Sequence, residues 1–489
     1  LILLAGTARV FPQAPRVYYV DGCRPPGDGS QSNPFNMLTL AVERAAAGST
    51  LVVQRGSYPE RPTIRKNLTI TASGGPVLVG QPARTQKICQ LTGEFDRERQ
   101  QPTINRTETN NNLRLRGTDL GASFEHNGRI YFLFGDTHPS DRPFDPSRRY
   151  NPNEPRPFNG DSIAWTTDTD PEQCLHLNFL RAPDRGYLSP KVRVLSFPPT
   201  FLSLGGFEVP TGGFSANGRM YVFFTTDNSD QNVMGRSVLA RLVDESQNLF
   251  TYLYDVSCRP GVVPCAVPDV GKFINISPVI VNNADIPGLP QSTGQGLLLW
   301  GSGRYRESSP YLAYLPLGAV EDRRMLRYYA GIDARTGRPV WSSEESQAVK
   351  LFDQDCIGEL SVTWNLFLRK WLMLYNCGNP RGINYRVADQ PWGPWSPPAV
   401  LFDPWCDRGH CHFMHAGGDL SNCDSVDDEM FRRATDPPRS RVREPGGEYG
   451  PYVISRFTKG DATSTTIYYL MSTWNPYQVV LMKSTLPLR

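Results

Sequence analysis

One strand pattern recurs five times along this chain, and that recurrence leaves few folds open to it. LGASFEHNGRIYFLFGDT (120–137) and TGGFSANGRMYVFFTTDN (211–228) both read as strand, Asn-Gly-Arg, strand. Asn-Gly between apolar runs is the strongest short hairpin signal, because a two-residue turn needs positive φ at both positions. Looser copies occur at 274–303, 358–378 and 450–474. Each copy is trailed by a third apolar strand: 161–168, 237–244, 311–318, 383–390 and 477–484. Five units of antiparallel strands at fairly regular spacing predict an all-β fold, a five-bladed β-propeller. A large β-sandwich is the alternative, but it leaves the five similar units unexplained.

Composition agrees. Gly and Pro number 43 each in 489 residues, which favours turns and short strands over long helices. A formal charge of +3, from 51 basic and 48 acidic residues, argues against an electrostatic nucleic-acid binder. The ten cysteines are an even number, as expected of disulfides in an oxidising compartment. Cys258 and Cys265 flank a short Pro-rich loop, and Cys406 and Cys411 flank another; either pair reads as a local staple. Asn67, Asn105 and Asn275 stand in glycosylation sequons.

The opening LILLAGTARVF resembles the end of a signal peptide, so residues 1–16 are read as a leader. No later stretch approaches the ~18 apolar residues of a membrane span. The expectation is a secreted monomer. Residues 17–84 carry an opening strand, a short helix pattern and then three short strands, resembling the first coil of a right-handed parallel β-helix. So few coils cannot bury a core alone, and this small β-helix-like segment is expected to pack on the following domain. Residues 85–112, rich in Arg, Gln and Asn, read as a linker; 113–489 is the propeller, with an insertion at about 403–445.

TDLGASFEHNGRIYFLFGDT, VPTGGFSANGRMYVFFT, GELSVTWNLFLRKWLMLY, ADQPWGPWSPP and EYGPYVISRF…STWNPYQVVLMKS occur in an order that resembles a propeller family, long of unknown function, that contains endo-D-arabinanases. The resemblance covers roughly 113–489. It implies a five-bladed propeller and cleavage of α-linked D-arabinofuranose chains.

The first strand of each propeller blade lines the axis. In this chain those strands start at Asp119, Thr211, Asn275, Glu359 and Tyr449. With the turn at Asn127-Gly128, residue 125 faces about 129, so 119 faces about 135 and Asp136 lies beside Asp119. The 137–160 loop returns Asp161 to the same rim. Paired carboxyls at a pocket mouth are what glycoside hydrolysis uses: one protonates the leaving oxygen, the other activates water or attacks the sugar. Asp119, Asp136, Asp161 and Glu359 are therefore the catalytic candidates, with Asp119 and Asp136 as the pair. Thr211, Asn275, Arg304, Tyr305, Asn379, Tyr449, Trp474 and Asn475 are the substrate-binding candidates. Cys406, His410, Cys411, His412 and His415 include zinc-ligand types without the usual C-x2-C spacing, so a local disulfide is the preferred reading. The sequence calls for no metal and no cofactor. Two readings compete with a hydrolase: a glycan-binding propeller without catalysis, and an adhesion module.

Overall fold

A computed structural model describes residues 14–24, 26–80, 83–93, 95–96, 98, 101–102, 115–139, 160–181, 187–194, 199–227, 234–262, 265–414, 447–474 and 476–487. The protein is a five-bladed β-propeller. From the axis outward, blade 1 runs Leu120–His126, Arg129–Phe134, Ser162–Thr166 and Asn178–Phe179. The inner strands of blades 2 to 5 are Pro210–Ala216, Asn275–Asn282, Leu360–Asn365 and Glu448–Val453. Each inner strand packs against the next, and the fifth against the first, so the ring closes.

The core lies between blades rather than within one. Strand Arg129–Phe134 shows why: Ile130, Phe132 and Phe134 face blade 5, whereas Tyr131 and Leu133 face blade 2. Arg219–Thr226 divides likewise, with Met220, Val222 and Phe224 toward blade 1 and Tyr221 and Phe223 toward blade 3. Side chains alternate across a strand, so a strand buried on both faces must be apolar at every position. That requirement produced the unbroken apolar runs visible in the sequence. Both Asn-Gly turns have the expected form, with φ of 48° and 79° at Asn127 and Gly128 and of 52° and 72° at Asn217 and Gly218.

Residues 85–90 correct the linker reading. Thr85–Gln90 is the outer strand of blade 5, antiparallel to the C-terminal strand Gln478–Pro487. An early part of the chain thus completes the last blade. Thr85 Oγ1 donates to Leu401 O of blade 4 at 2.6 Å, and Cys89 is disulfide-bonded to Cys174 of blade 1. An outer strand has one edge in solvent and needs no apolar run, so nothing in its composition marks it.

Val17–Val20, Thr50–Tyr58 and Thr69–Val79 form a parallel three-stranded sheet, with helix Leu38–Arg44 between the first two. They enclose their own small cluster around Val20, Leu38, Val42, Leu51 and Val53. The Cys23–Cys406 disulfide ties this segment to the blade 4 side of the propeller. This corrects the local Cys406–Cys411 staple: bridging depends on Cα separation and direction, which chain spacing does not decide. Cys411 is disulfide-bonded as well, and the Cys258–Cys265 staple forms as read. Among the described residues no helix is long and apolar enough to cross a membrane.

Candidate active site

The site grows from three neighbouring strand ends of blade 1. Each end carries a hydroxyl residue beside an acid: Thr118-Asp119, Asp136-Thr137 and Asp161-Ser162. Consecutive residues of an extended chain point to opposite faces. The hydroxyls meet on one face, Thr118 to Thr137 at 2.8 Å and Thr137 to Ser162 at 2.9 Å. The carboxyls come together as a second cluster, close enough that the charges of Asp136 and Asp119 both act on Asp161.

The register was reached through two offsetting departures. His126, not Glu125, faces Arg129, one position from expectation. A bulge at Leu120–Ala122 then absorbs one residue, and Gly135 N–H donates to Asp119 O at 3.1 Å. Gly135 has to be glycine: a Cβ there would stand 2.5 Å from Asp119 Oδ1.

Asp119 is buried, and its Oδ2 accepts two phenols, Tyr477 at 2.6 Å and Tyr449 at 2.9 Å. Its Oδ1 has no hydrogen-bond partner among the described residues. Burial, aided by the charge of Asp136, raises its pKa well above the carboxylate range; the two phenols pull the other way. Asp136 stands nearer solvent. Burial raises its pKa to about 6, against the backbone N–H of Phe207, which donates to Oδ1 at 3.2 Å. Asp161 is fully buried, and among the described residues neither of its oxygens has a hydrogen-bond partner. Burial and then the charges of Asp136, Asp119 and Glu208 raise its pKa well above normal, and nothing lowers it.

Glu208 is a fourth acid that sequence reasoning missed. It is buried just ahead of the blade 2 inner strand, its Oε2 accepting from Ser203 Oγ at 2.7 Å and Gly205 N–H at 2.5 Å. Its signal was available: Glu in GGFEVP occupies the approach to the second inner strand as Asp119 does to the first. Glu359 is buried 3.6 Å from the Arg306 guanidinium. Arg306 in turn lies over the rings of Tyr305 (4.9 Å) and Tyr449 (5.1 Å). Sequence reasoning chose Arg304, which is exposed and paired with Glu307 at 3.0 Å; the buried cation is two residues on.

The binding candidates divide. Tyr449 touches Asp119 directly; Trp474 meets the ring of Tyr477 edge-on at 5.9 Å; Tyr305 packs beneath Arg306. Asn275 is buried with its amide 3.7 Å from Met234 Sδ, and Thr211 Oγ1 turns to Phe223 O at 3.5 Å. Asn379 is exposed, its carbonyl accepting from Gln354 at 2.8 Å. Asn475 and His415 lie outside the described residues. Cys406 is committed to a disulfide and offers no thiolate to a metal. An axial cavity of about 270 Å³ runs farther along the inner strands, lined by Ser123, Ser277, Ser361 and Thr363 among others.

A closed five-bladed propeller with desolvated carboxyls gathered at one end of its axis defines the class. Residues 105–483 match the family described as Domain of unknown function (DUF4185), and the chain belongs to that family. No curated protein matches it. Solved structures similar to it include the catalytic domain of a Coprinopsis cinerea GH62 α-L-arabinofuranosidase, at 12% identity and TM-score 0.36, covering 82% of this chain and 97% of that one. An α-L-arabinofuranosidase from Podospora anserina in complex with cellotriose has 11% identity and TM-score 0.36, covering 83% and 99%. An exo-β-1,3-galactanase from Phanerochaete chrysosporium, with β-1,3-galactotriose, has 8% identity and TM-score 0.36; the match covers 76% of this chain and 65% of that one, under two thirds of its length.

Proposed function

We propose that the protein is a secreted glycoside hydrolase acting on a furanoside polysaccharide, and that it cuts D-arabinan internally. The observation that carries this reading is the set of carboxyls on adjacent strand ends, each with a different hydrogen-bond environment. Unequal environments separate proton affinities, which is how one acid stays protonated while its neighbour is charged. A neutral sugar could be bound with fewer acids. The resemblance to a family containing endo-D-arabinanases supplies the substrate class. The disulfides suit an oxidising, extracellular compartment.

In this reading Asp136 is the general base. Its pKa of about 6 leaves it mostly charged at neutral pH, and it stands nearer solvent, where a water can reach it. Asp119 is the acid: burial and the charge of Asp136 hold its proton, and the two phenols occupy Oδ2, leaving that proton to Oδ1. The proton given by Asp119 and the proton taken by Asp136 balance across one turnover. Asp161 stays protonated and uncharged, and so avoids a further repulsive charge between them. Glu359 is held by Arg306 and acts on Asp119 only as a distant charge. The pair titrates as a unit, so a pH–rate profile reports the two together.

The test is release of reducing sugar from a panel of furanoside polymers, led by a D-arabinan-bearing arabinogalactan. Oligomers released from within the chain are the expected result. Binding without release would mean a glycan-binding propeller; neither binding nor release from any polymer would end the reading.

A further inference from the structure

Phe207 combines three features that are individually uncommon. Its backbone N–H lies 3.2 and 3.4 Å from the two oxygens of Asp136, so this residue is at the carboxyl itself. Its side chain is one of the exposed large apolar groups, at 40% exposure, and it joins none of the buried clusters that take in Leu202 and Leu204 of the same loop. Its φ is +66°, a left-handed conformation that a bulky residue rarely adopts. Glycine would be at ease there, and Gly205 and Gly206 immediately precede it. A strained aromatic kept out of the core beside a carboxyl is not explained by packing. Strain of this kind is concentrated at ligand-binding and catalytic positions.

We propose that the Phe207 ring is a sugar-stacking platform bordering the point of cleavage. The proposal rests on the hydrolase reading and adds a subsite to it. A furanose ring has an apolar C–H face that an exposed aromatic can cover, while the same residue's N–H steadies Asp136. Trp474 and Tyr477 stand on the blade 5 side of the cluster, so aromatic groups border the acids from both blade 2 and blade 5. Glu208, the next residue, pins the loop through Ser203 and Gly205. The left-handed turn thus sets N–H and ring together.

The probe is a linear α-linked D-arabinofuranose oligosaccharide titrated calorimetrically into the full chain carrying Asp119→Asn, which removes turnover. Phe207→Ala and Phe207→Gly in that background should each weaken binding on the order of tenfold, the scale of an aromatic anchor at a contact. Phe207→Trp should restore it. In the active protein, Phe207→Gly keeps the N–H on Asp136, so KM should rise while the pH–rate profile stays in place. Equal affinity in the Phe207→Ala protein overturns the platform and leaves the hydrolase reading intact. A displaced pH profile with unchanged affinity also overturns it, because the residue would then act through its backbone alone. If the parent neither binds nor cleaves any furanoside polymer, both proposals fall.

Discussion

The inner strands begin at one end of the propeller axis and finish at the other, and the two ends are built on opposite terms. At the far end, side chains stitch neighbouring blades together with satisfied hydrogen bonds. Thr363 Oγ1 of blade 4 meets Ser455 Oγ of blade 5 at 2.9 Å, and His126 Nδ1 of blade 1 meets Ser215 Oγ of blade 2 at 2.8 Å. Ser123 Oγ of blade 1 donates to Val453 O at 3.1 Å, and Arg456 pairs with Glu125. At the near end, Asp119 and Asp161 are buried with oxygens that no donor among the described residues reaches. Leu120, Phe207 and Arg306 near these acids have left-handed φ outside any hairpin turn, whereas the far-end left-handed positions Asn127, Asn217 and Arg369 are hairpin-turn residues. Buried polar groups without partners cost about 1–3 kcal/mol each, and such backbone strain costs a similar amount. The same five strands thus stabilise the ring at one end and carry the cost of a reactive arrangement at the other.

The largest effect should come from the near end and be confined to activity. Asp119→Asn and Asp136→Asn should both be folded, and each should lose roughly 100-fold or more in turnover, the contribution usual for a general acid or base. Retention of more than about a tenth of the activity by both would move the catalytic assignment to Asp161 and Glu208.

The second expectation inverts the usual sign of a substitution. An acid whose pKa is raised from 3.8 to about 6 on folding binds more protons folded than unfolded between those values. Its contribution to stability therefore declines as pH rises from about 4 to about 6, and the loss is complete above that range. At 1.36 kcal/mol per pKa unit this amounts to roughly 3 kcal/mol at pH 7. Asp136→Asn should recover most of it, melting higher than the parent at pH 7 and matching it near pH 4. Denaturant midpoints at the two pH values measure this. An Asn protein that is less stable at pH 7 would show that the near end is not under electrostatic load.

The smallest effect belongs to the far end. Thr363→Ala leaves the Ser455 hydroxyl without its partner and should lower stability by about 1 kcal/mol with kcat unchanged. A clear loss of activity in this variant would erase the contrast between the two ends.

Much of the architecture is legible in the sequence. The inner strand, second strand and third strand of every blade coincide with runs marked by apolar composition, because burial on both faces leaves no freedom of choice. Asp119 and Asp136 are found through the Asn-Gly turn, which fixes register from local backbone preference. The bulge at Leu120–Ala122 is not legible, and correct placement of the pair depended on its offsetting a one-residue error. Outer strands are invisible, Thr85–Gln90 above all, since a half-solvated edge accepts polar residues. Arg306 escapes notice for another reason: it lies in a loop, where no periodicity says whether a charge points to water or inward; Glu208 is also in a loop, and its one signal is its place ahead of the second inner strand.

By itself the sequence determined the blades, their number, and the pairing of hydroxyl with acid at each strand end of blade 1. These result from alternation and turn chemistry, which act over a few residues. Only the tertiary structure decided which charges lose their water, that Tyr449 and Tyr477 from the last blade reach Asp119 in the first, and that Cys23 joins Cys406 across 383 residues. Those outcomes depend on closing the ring, which brings together residues from opposite ends of the chain, and desolvation is a property of the closed assembly that no single strand possesses.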